Sequence, residues 1–316
     1  MQLRWRGAVE KGLFFLIHQT RAGCALVLLV LLTACSAGGR EVIPALTATP
    51  PPTTTPAPTQ TPQPTCTPTA TPLPACHGEP GSLLETTYPG AVVTEDIPVV
   101  VYLPPCYDES DDHYPVLYLL HGFGSGMDET QWVQLGVTEE AERRFQQGDE
   151  DPYIIVMPLQ PDPIFINSMG GDGSYEQEML EGVLPFVDRR FRTVATASGR
   201  AIGGISRGGV WALEIALRNP NLFNIVAGLS PALHVNFAWP AYDPYELVRR
   251  SEQFPEHIFL SAGDRERNFR IAMLNLSAEL EEVGVDHTAA VYPGGHENDA
   301  WRNVLADLLD FIAAAW

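Results

Sequence analysis

The sequence predicts an α/β fold, with a mostly parallel central sheet flanked by helices on both faces, over residues 76–316. Two observations carry this. From His77 onward, apolar runs of four to eight residues alternate with helix-length amphipathic segments, the pattern of parallel strands joined by crossover helices. Four of those runs end in a loop that pairs glycine with a chemically useful residue: His121-Gly-Phe-Gly124, Gly204-Ile-Ser-Arg-Gly208, Gly263-Asp264 and Gly295-His296. In a parallel sheet such strand ends share one edge, where open α/β sheets place their sites.

Taken in order, Ile97–Leu103 alternates and stops at Pro104-Pro105, as an edge strand would. Pro115–Leu120 is continuously apolar and reads as a central strand. Thr138 is a candidate cap for a helix through Gln147, with Glu139 and Glu140 suited to its first turn. Tyr153–Met157 is the next buried strand. Ser174–Phe191 has helical spacing with Met179, Val183, Phe186 and Val187 on one face, and Pro185 predicts a kink. Ala201–Ile205 feeds Ser206, and the helix after it ends at Asn219-Pro220. Asn224–Leu229 and His257–Ser261 are strands. A helix over 268–283 is closed by Gly284, Thr288–Tyr292 is the last strand, and a helix covers roughly 299–315.

The Gly204-x-Ser206-x-Gly208 stretch is the chemical centre of this pattern. A serine on a sharp strand-to-helix turn needs small neighbours, because side chains there would collide with the adjacent strand and helix. Five residues alone could equally be a flexible turn. The later residues Asp264 and His296, each following a strand, complete the order Ser, Asp, His of an α/β-hydrolase triad. In that reading Ser206 is the nucleophile, His296 its base, and Asp264 holds the imidazole tautomer. Asp264 also suits a helix cap. His257 and His287 sit at strand starts, the opposite edge, and His234 lies in an irregular stretch; Asp299 suits a cap of the last helix and Asp243 follows no strand.

Residues 1–35 read as a lipoprotein signal peptide. Arg4, Arg6, Lys11 and Arg21 precede an apolar core too short to span a bilayer comfortably, ending in Leu32-Thr-Ala-Cys35. This resembles a lipobox, with Cys35 as the lipidated residue; a cleaved signal peptide or a membrane anchor are the alternatives. Residues 36–75, rich in threonine and proline, cannot bury a core and read as a disordered, extended stalk. The chain would then be exported and held at the cell surface by its N-terminal lipid. In an oxidising compartment Cys66, Cys76 and Cys106 remain after Cys24 leaves with the leader, and Cys76–Cys106 is the first choice of disulfide, with Cys66–Cys76 the alternative.

The formal net charge is −20, and beyond residue 40 there are fourteen arginines and no lysine against 38 acidic residues. So acidic a domain is a poor partner for nucleic acid or anionic lipid. No Cys/His cluster has metal spacing, and no cofactor or metal is expected.

The chain resembles an esterase family of α/β hydrolases that contains feruloyl and acetyl-xylan esterases, enterochelin esterases, S-formylglutathione hydrolases and mycolyltransferases. The matching stretches are Val101–Asp108, Tyr118–Gly124, the serine turn, Leu184–Thr193 and Gly294–Trp301. The resemblance implies a serine esterase acting on a carbohydrate-linked or other extracellular carboxylic ester, with acyl transfer to a carbohydrate or a catalytically silent binding protein as alternatives. It implies an oxyanion hole from the backbone N–H groups of Phe123 and Arg207, with Gly122 and Gly124 letting the first loop turn. His121 is expected to be structural. Most members have methionine where this chain has Arg207, which would set a cation near the mouth of the site. Trp132, Asn167, Ser168 and Trp239 are candidate pocket residues on the loops above.

Overall fold

A computed structural model describes residues 80–124, 126–162, 164–167 and 169–316. The expected signal peptide with Cys35, the expected stalk, Cys66, Cys76 and Ser168 lie outside these residues. The described residues all belong to one compact unit, Pro68–Trp316.

Eight strands among them form one sheet: β1 (Ser82–Pro89), β2 (Asp96–Leu103), β3 (Val116–Leu120), β4 (Ile154–Pro158), β5 (Arg200–Ile205), β6 (Ile225–Leu229), β7 (His257–Gly263) and β8 (Thr288–Tyr292). Their spatial order is β1-β2-β4-β3-β5-β6-β7-β8. The first two junctions are antiparallel and the rest parallel. Out-of-sequence neighbours β3 and β4 reverse the winding direction, so crossover helices cover both faces. The helices are α1 (Gln131–Leu135), α2 (Val137–Gln147), α3 (Tyr175–Gln177), α4 (Leu184–Arg190), α5 (Arg207–Arg218), α6 (Pro244–Arg250), α7 (Arg267–Glu282), α8 (Asn298–Arg302) and α9 (Leu305–Ala315).

Side-chain alternation splits the core across the sheet. Val116, Tyr118, Leu120 and Ile202 pack on one face beneath α4, α5 and α7. Leu117, Leu119, Ala201 and Ile205 pack on the other beneath α1, α2 and α9. Both faces of the central strands are thus buried, which is why their sequences run apolar without a break.

Four expectations change. Ile97–Leu103 is an interior strand, because Ser82–Pro89 pairs along its outer side and takes the edge; the polar alternation Glu85-Thr-Thr87 hides that strand from a hydrophobicity reading. The helix predicted over 174–191 is capped by Ser174, which accepts the N–H of Gln177, and its irregularity takes the form of a π-helical turn over Glu178–Val183, just ahead of Pro185. Pro185 follows directly, as the second residue of α4, and the backbone stays helical through Val183 and Leu184, so the chain runs on from the π-helical turn into α4. The final helix is two, broken between Arg302 and Leu305. Thr138 lies inside α2, whose N-cap is Gly136 in the left-handed region, φ 90°.

Parallel pairing brings the strand ends into line. Leu120 pairs with Gly204, Ile205 with Leu229, Leu229 with Ser261 and Gly263 with Tyr292. The loops after β3, β5, β6, β7 and β8 therefore leave from one edge.

Candidate active site

Ser206 stands between β5 and α5 with φ 55° and ψ −112°, a conformation sparsely populated by residues with a Cβ. It is held by its neighbours: its N–H donates to the Leu229 carbonyl (2.9 Å), and its carbonyl accepts from Ala232 N–H (3.0 Å). The flanking glycines are required by space. A Cβ on Gly204 would overlap the Gly208 carbonyl, and a Cβ on Gly208 would overlap the carbonyls of Leu120 and His121. All those obstacles are backbone. The turn packs so closely on β3 that only glycine fits at either side.

His296, on the loop after β8, reaches back across the sheet edge. Its Nε2 lies 2.9 Å from Ser206 Oγ and its Nδ1 lies 2.6 Å from Glu266 Oε2. The ring stacks on Phe269, with centroids 3.8 Å apart and planes 22° from parallel, and meets Trp301 edge-on at 5.0 Å. The imidazole is therefore fixed by both nitrogens and by the surfaces around it.

The carboxylate on the histidine is Glu266, not Asp264. The Asp264 side chain is exposed and accepts the Gly294 N–H at 2.9 Å, linking the loop after β7 to the loop after β8. Glu266, at the start of α7 and 6 % exposed, turns inward. Its Oε1 accepts from the Gly263 N–H and the Ser230 hydroxyl, and Ser230 in turn accepts from Trp301 Nε1 (3.1 Å). The reason is local geometry. Close packing of Gly263 under the Gly294 carbonyl points residue 264 along the loops, and one further turn of chain brings residue 266 under the imidazole. A glutamate two positions past an aspartate was the available signal, since either acid can fill this role. Ser230, with φ 45°, is a partner the sequence reading did not single out.

His121 is buried with both nitrogens used. Nδ1 donates to the Gly122 carbonyl (2.8 Å) and Nε2 accepts the Gln160 N–H (2.9 Å), while Gln160 Nε2 donates to the His121 carbonyl (2.7 Å). Burial lowers its pKa, in keeping with the neutral ring this pattern needs. Gly122 N–H donates to the buried Gln131 Oε1 at 2.8 Å. Together these contacts shape the loop bearing Phe123, and Gly122 lies directly against Ser206: a Cβ on it would stand 3.5 Å from the serine Cβ. Arg207 N–H, at the first position of α5, has no intrahelical acceptor.

The Arg207 side chain is not a cation at the mouth. It is 9 % exposed and donates to the carbonyls of Phe165 (3.2 Å) and Asn167 and to Asn236 Oδ1 (3.1 Å). Of the other candidates, Trp132 is fully buried in α1 and donates to the Leu120 carbonyl (3.1 Å), a packing role, whereas Trp239 is exposed. His287 bonds Ser277 Oγ (2.7 Å), and Asp243 caps α6 through the Tyr245 N–H (2.8 Å), both apart from the serine. Cys106 is disulfide-bonded; Cys76, its expected partner, lies outside the described residues. No group of three or more His, Cys, Asp and Glu residues suited to a metal ion occurs among the described residues.

A hydroxyl on an imidazole whose far nitrogen rests on a buried carboxylate is the arrangement that makes serine a nucleophile. Comparison with known proteins is consistent with this geometry. The endo-1,4-beta-xylanase/feruloyl esterase of Xylanibacter ruminicola is 32% identical over 217 residues, 65% of this chain and 28% of that protein. Esterase Rv1288 of Mycobacterium tuberculosis is 35% identical over 126 residues, 38% of this chain and 26% of that one. The chain thus spans little more than a quarter of the length of these relatives. A solved ferulic acid esterase shares the fold with a TM-score of 0.66 at 22% identity, covering 75% of this chain and 99% of its own. Residues 90–312 match the family model described as "Putative esterase", and the chain belongs to that esterase family of the α/β-hydrolase fold.

Proposed function

We propose that this protein is a serine esterase that hydrolyses carboxylic esters through an acyl-enzyme. The observation that carries the reading is the bridging imidazole, 2.9 Å from Ser206 Oγ and 2.6 Å from Glu266. His296 Nε2 takes the Ser206 proton as Oγ attacks the ester carbonyl, and returns it to the leaving alcohol as the C–O bond breaks. Water then attacks the acyl-serine by the same route, its proton passing through His296 back to Ser206 as the acid leaves. Glu266 keeps the proton of the resting imidazole on Nδ1 and stabilises the imidazolium. The N–H groups of Phe123 and Arg207 hold the oxyanion, each such donor being worth roughly 3–4 kcal/mol in the transition state.

The exposed apolar side chains of Phe123, Ile166, Phe237 and Trp239 on loops around the serine suit an ester with an aromatic or otherwise apolar part. The relatives named for feruloyl ester cleavage favour an aromatic acyl group on a carbohydrate. The leader, lipobox and stalk support export, with the catalytic domain tethered at the cell surface through Cys35. The direct test is hydrolysis of p-nitrophenyl acetate and butyrate by the full chain beside Ser206→Ala. Loss of at least about a thousandfold in the variant is expected; equal rates would refute the esterase reading. Tethering is checked separately: a fatty-acid label should be incorporated by the wild-type chain and not by Cys35→Ala, and an unlabelled wild type would count against the lipid anchor.

A further inference from the structure

One arginine side chain joins the two loops that flank the serine turn. Arg207 Nε and Nη2 donate to the carbonyls of Phe165 and Asn167, the two residues on either side of Ile166. Nη1 donates at 3.1 Å to Oδ1 of Asn236, the residue between Val235 and Phe237. Ile166, Val235 and Phe237 are exposed apolar side chains, Phe237 at 81 %. Each end of the guanidinium fork therefore grips backbone or side chain next to an apolar residue left open to solvent. The Phe165 carbonyl has a second donor in Trp211 Nε1 (2.9 Å), and the Phe165 ring packs on His121 at 5.1 Å and Phe123 at 5.7 Å.

The electrostatics make a merely structural filler a poor account. A buried guanidinium costs several kcal/mol unless its charge is compensated, yet the three hydrogen-bond acceptors of Arg207 are neutral, and beyond them its guanidinium lies over the Trp211 ring, 5.2 Å from the centroid. Glu214, two turns further along the buried face of α5, is not its hydrogen-bond partner: both Glu214 oxygens are buried without one. An apolar side chain would fill this space at lower cost. What it could not do is span two loops with a rigid planar fork.

We infer that Arg207 is a positioning residue for substrate selection: its guanidinium fixes the distance between the Phe165–Asn167 and Val235–Phe237 loops, and with it the width of the apolar cleft that receives the bulky aryl or acyl part of the ester. This rests on the esterase reading of Ser206. A cleft of set width discriminates by size: a small acetyl group does not need both walls, whereas a cinnamoyl group does. Removing the arginine takes away three hydrogen bonds that tie the two loops to the serine turn and leaves the Trp211 bond to Phe165 and the Trp239 N–H on Met169 Sδ, so the walls are expected to separate.

The experiment compares kcat and KM of the full chain for p-nitrophenyl acetate and for a p-nitrophenyl cinnamate. Asn236→Ala, which removes the acceptor without touching the serine turn, is expected to raise KM for the cinnamate and to lower the cinnamate-to-acetate ratio of kcat/KM by about tenfold. Asn236→Asp, which keeps an acceptor oxygen, should retain the ratio. Arg207→Met should lower it at least as far as Asn236→Ala. A ratio within about twofold of wild type in both Asn236→Ala and Arg207→Met would overturn the inference. Hydrogen exchange separates this from the esterase reading. Both variants should exchange faster at 164–167 and 233–239; unchanged exchange there refutes the bridge, whereas a wild-type protein that cleaves neither ester refutes the esterase reading alone.

Discussion

Glu266 Oε2 lies 2.6 Å from Nδ1 of His296, although the first carboxylate after that strand belongs to Asp264. Only the former is buried and supported from below, by the Gly263 N–H and the Ser230 hydroxyl. Glu266→Gln is expected to lower kcat for p-nitrophenyl butyrate by about 10³–10⁴-fold, because an amide cannot enforce the right tautomer or stabilise the imidazolium. Asp264→Asn should cost less than about tenfold, since an amide oxygen can still accept from Gly294. The reverse ranking of the two variants would return the role to Asp264.

The serine turn tolerates no side chain at its flanking positions. Gly204→Ala and Gly208→Ala should each destabilise the domain by more than about 3 kcal/mol, because the obstructing atoms are backbone carbonyls of packed elements rather than movable side chains. Chemical denaturation of the soluble fraction measures this. Either alanine variant with wild-type stability would show the turn to be looser than described.

Glu214 is a stability liability that grows with pH. It is fully buried on α5, its oxygens unpartnered, and burial followed by the nearby Glu176 pushes its pKa up to about 9. Between the ordinary glutamate value and that pH the folded chain keeps a proton that the unfolded chain has released, so stability falls as pH rises through this window. Glu214→Gln mimics the protonated carboxyl. Its Tm advantage over wild type should be small near pH 5 and should widen steadily to pH 9. A gain independent of pH would mean that Glu214 does not titrate there.

His121 acts in the opposite direction. Its Nε2 accepts the Gln160 N–H, and burial lowers its pKa, so protonation would turn the acceptor into a donor facing a donor. Folded His121 stays neutral while unfolded His121 gains a proton below its ordinary value, and stability contributed by this residue is lost as pH falls through the unfolded and then the folded pKa. His121→Ala should lose about 1–3 kcal/mol at pH 8, from the unpaired polar groups left on the Gly122 and Gln160 backbone. It should also show a shallower decline of stability into acid than wild type. An unchanged acid decline would remove His121 from the groups that set it.

Most of the fold was legible because its strands are short, apolar and stopped by glycine or proline, and because the serine turn has a steric requirement that only glycine meets. The place of His296 followed from the same logic, as the residue after the last parallel strand. Those features are local, and local chain chemistry determines them. Four others needed the tertiary structure. The edge strand Ser82–Pro89 is polar on its outer face and is a strand only because β2 pairs with it. The irregularity in the helix after Ser174 is a π-helical turn that ends just before Pro185, a form that the apolar spacing does not encode. The choice of Glu266 over Asp264 depends on how Gly263 packs beneath the Gly294 carbonyl, a contact thirty-one residues away in sequence. The direction of the Arg207 side chain depends on carbonyls from a loop forty residues earlier and an amide twenty-nine residues later. Residue order sets which groups arrive at the sheet edge, while the orientation of each side chain there is decided by long-range packing and by where buried polar atoms find partners.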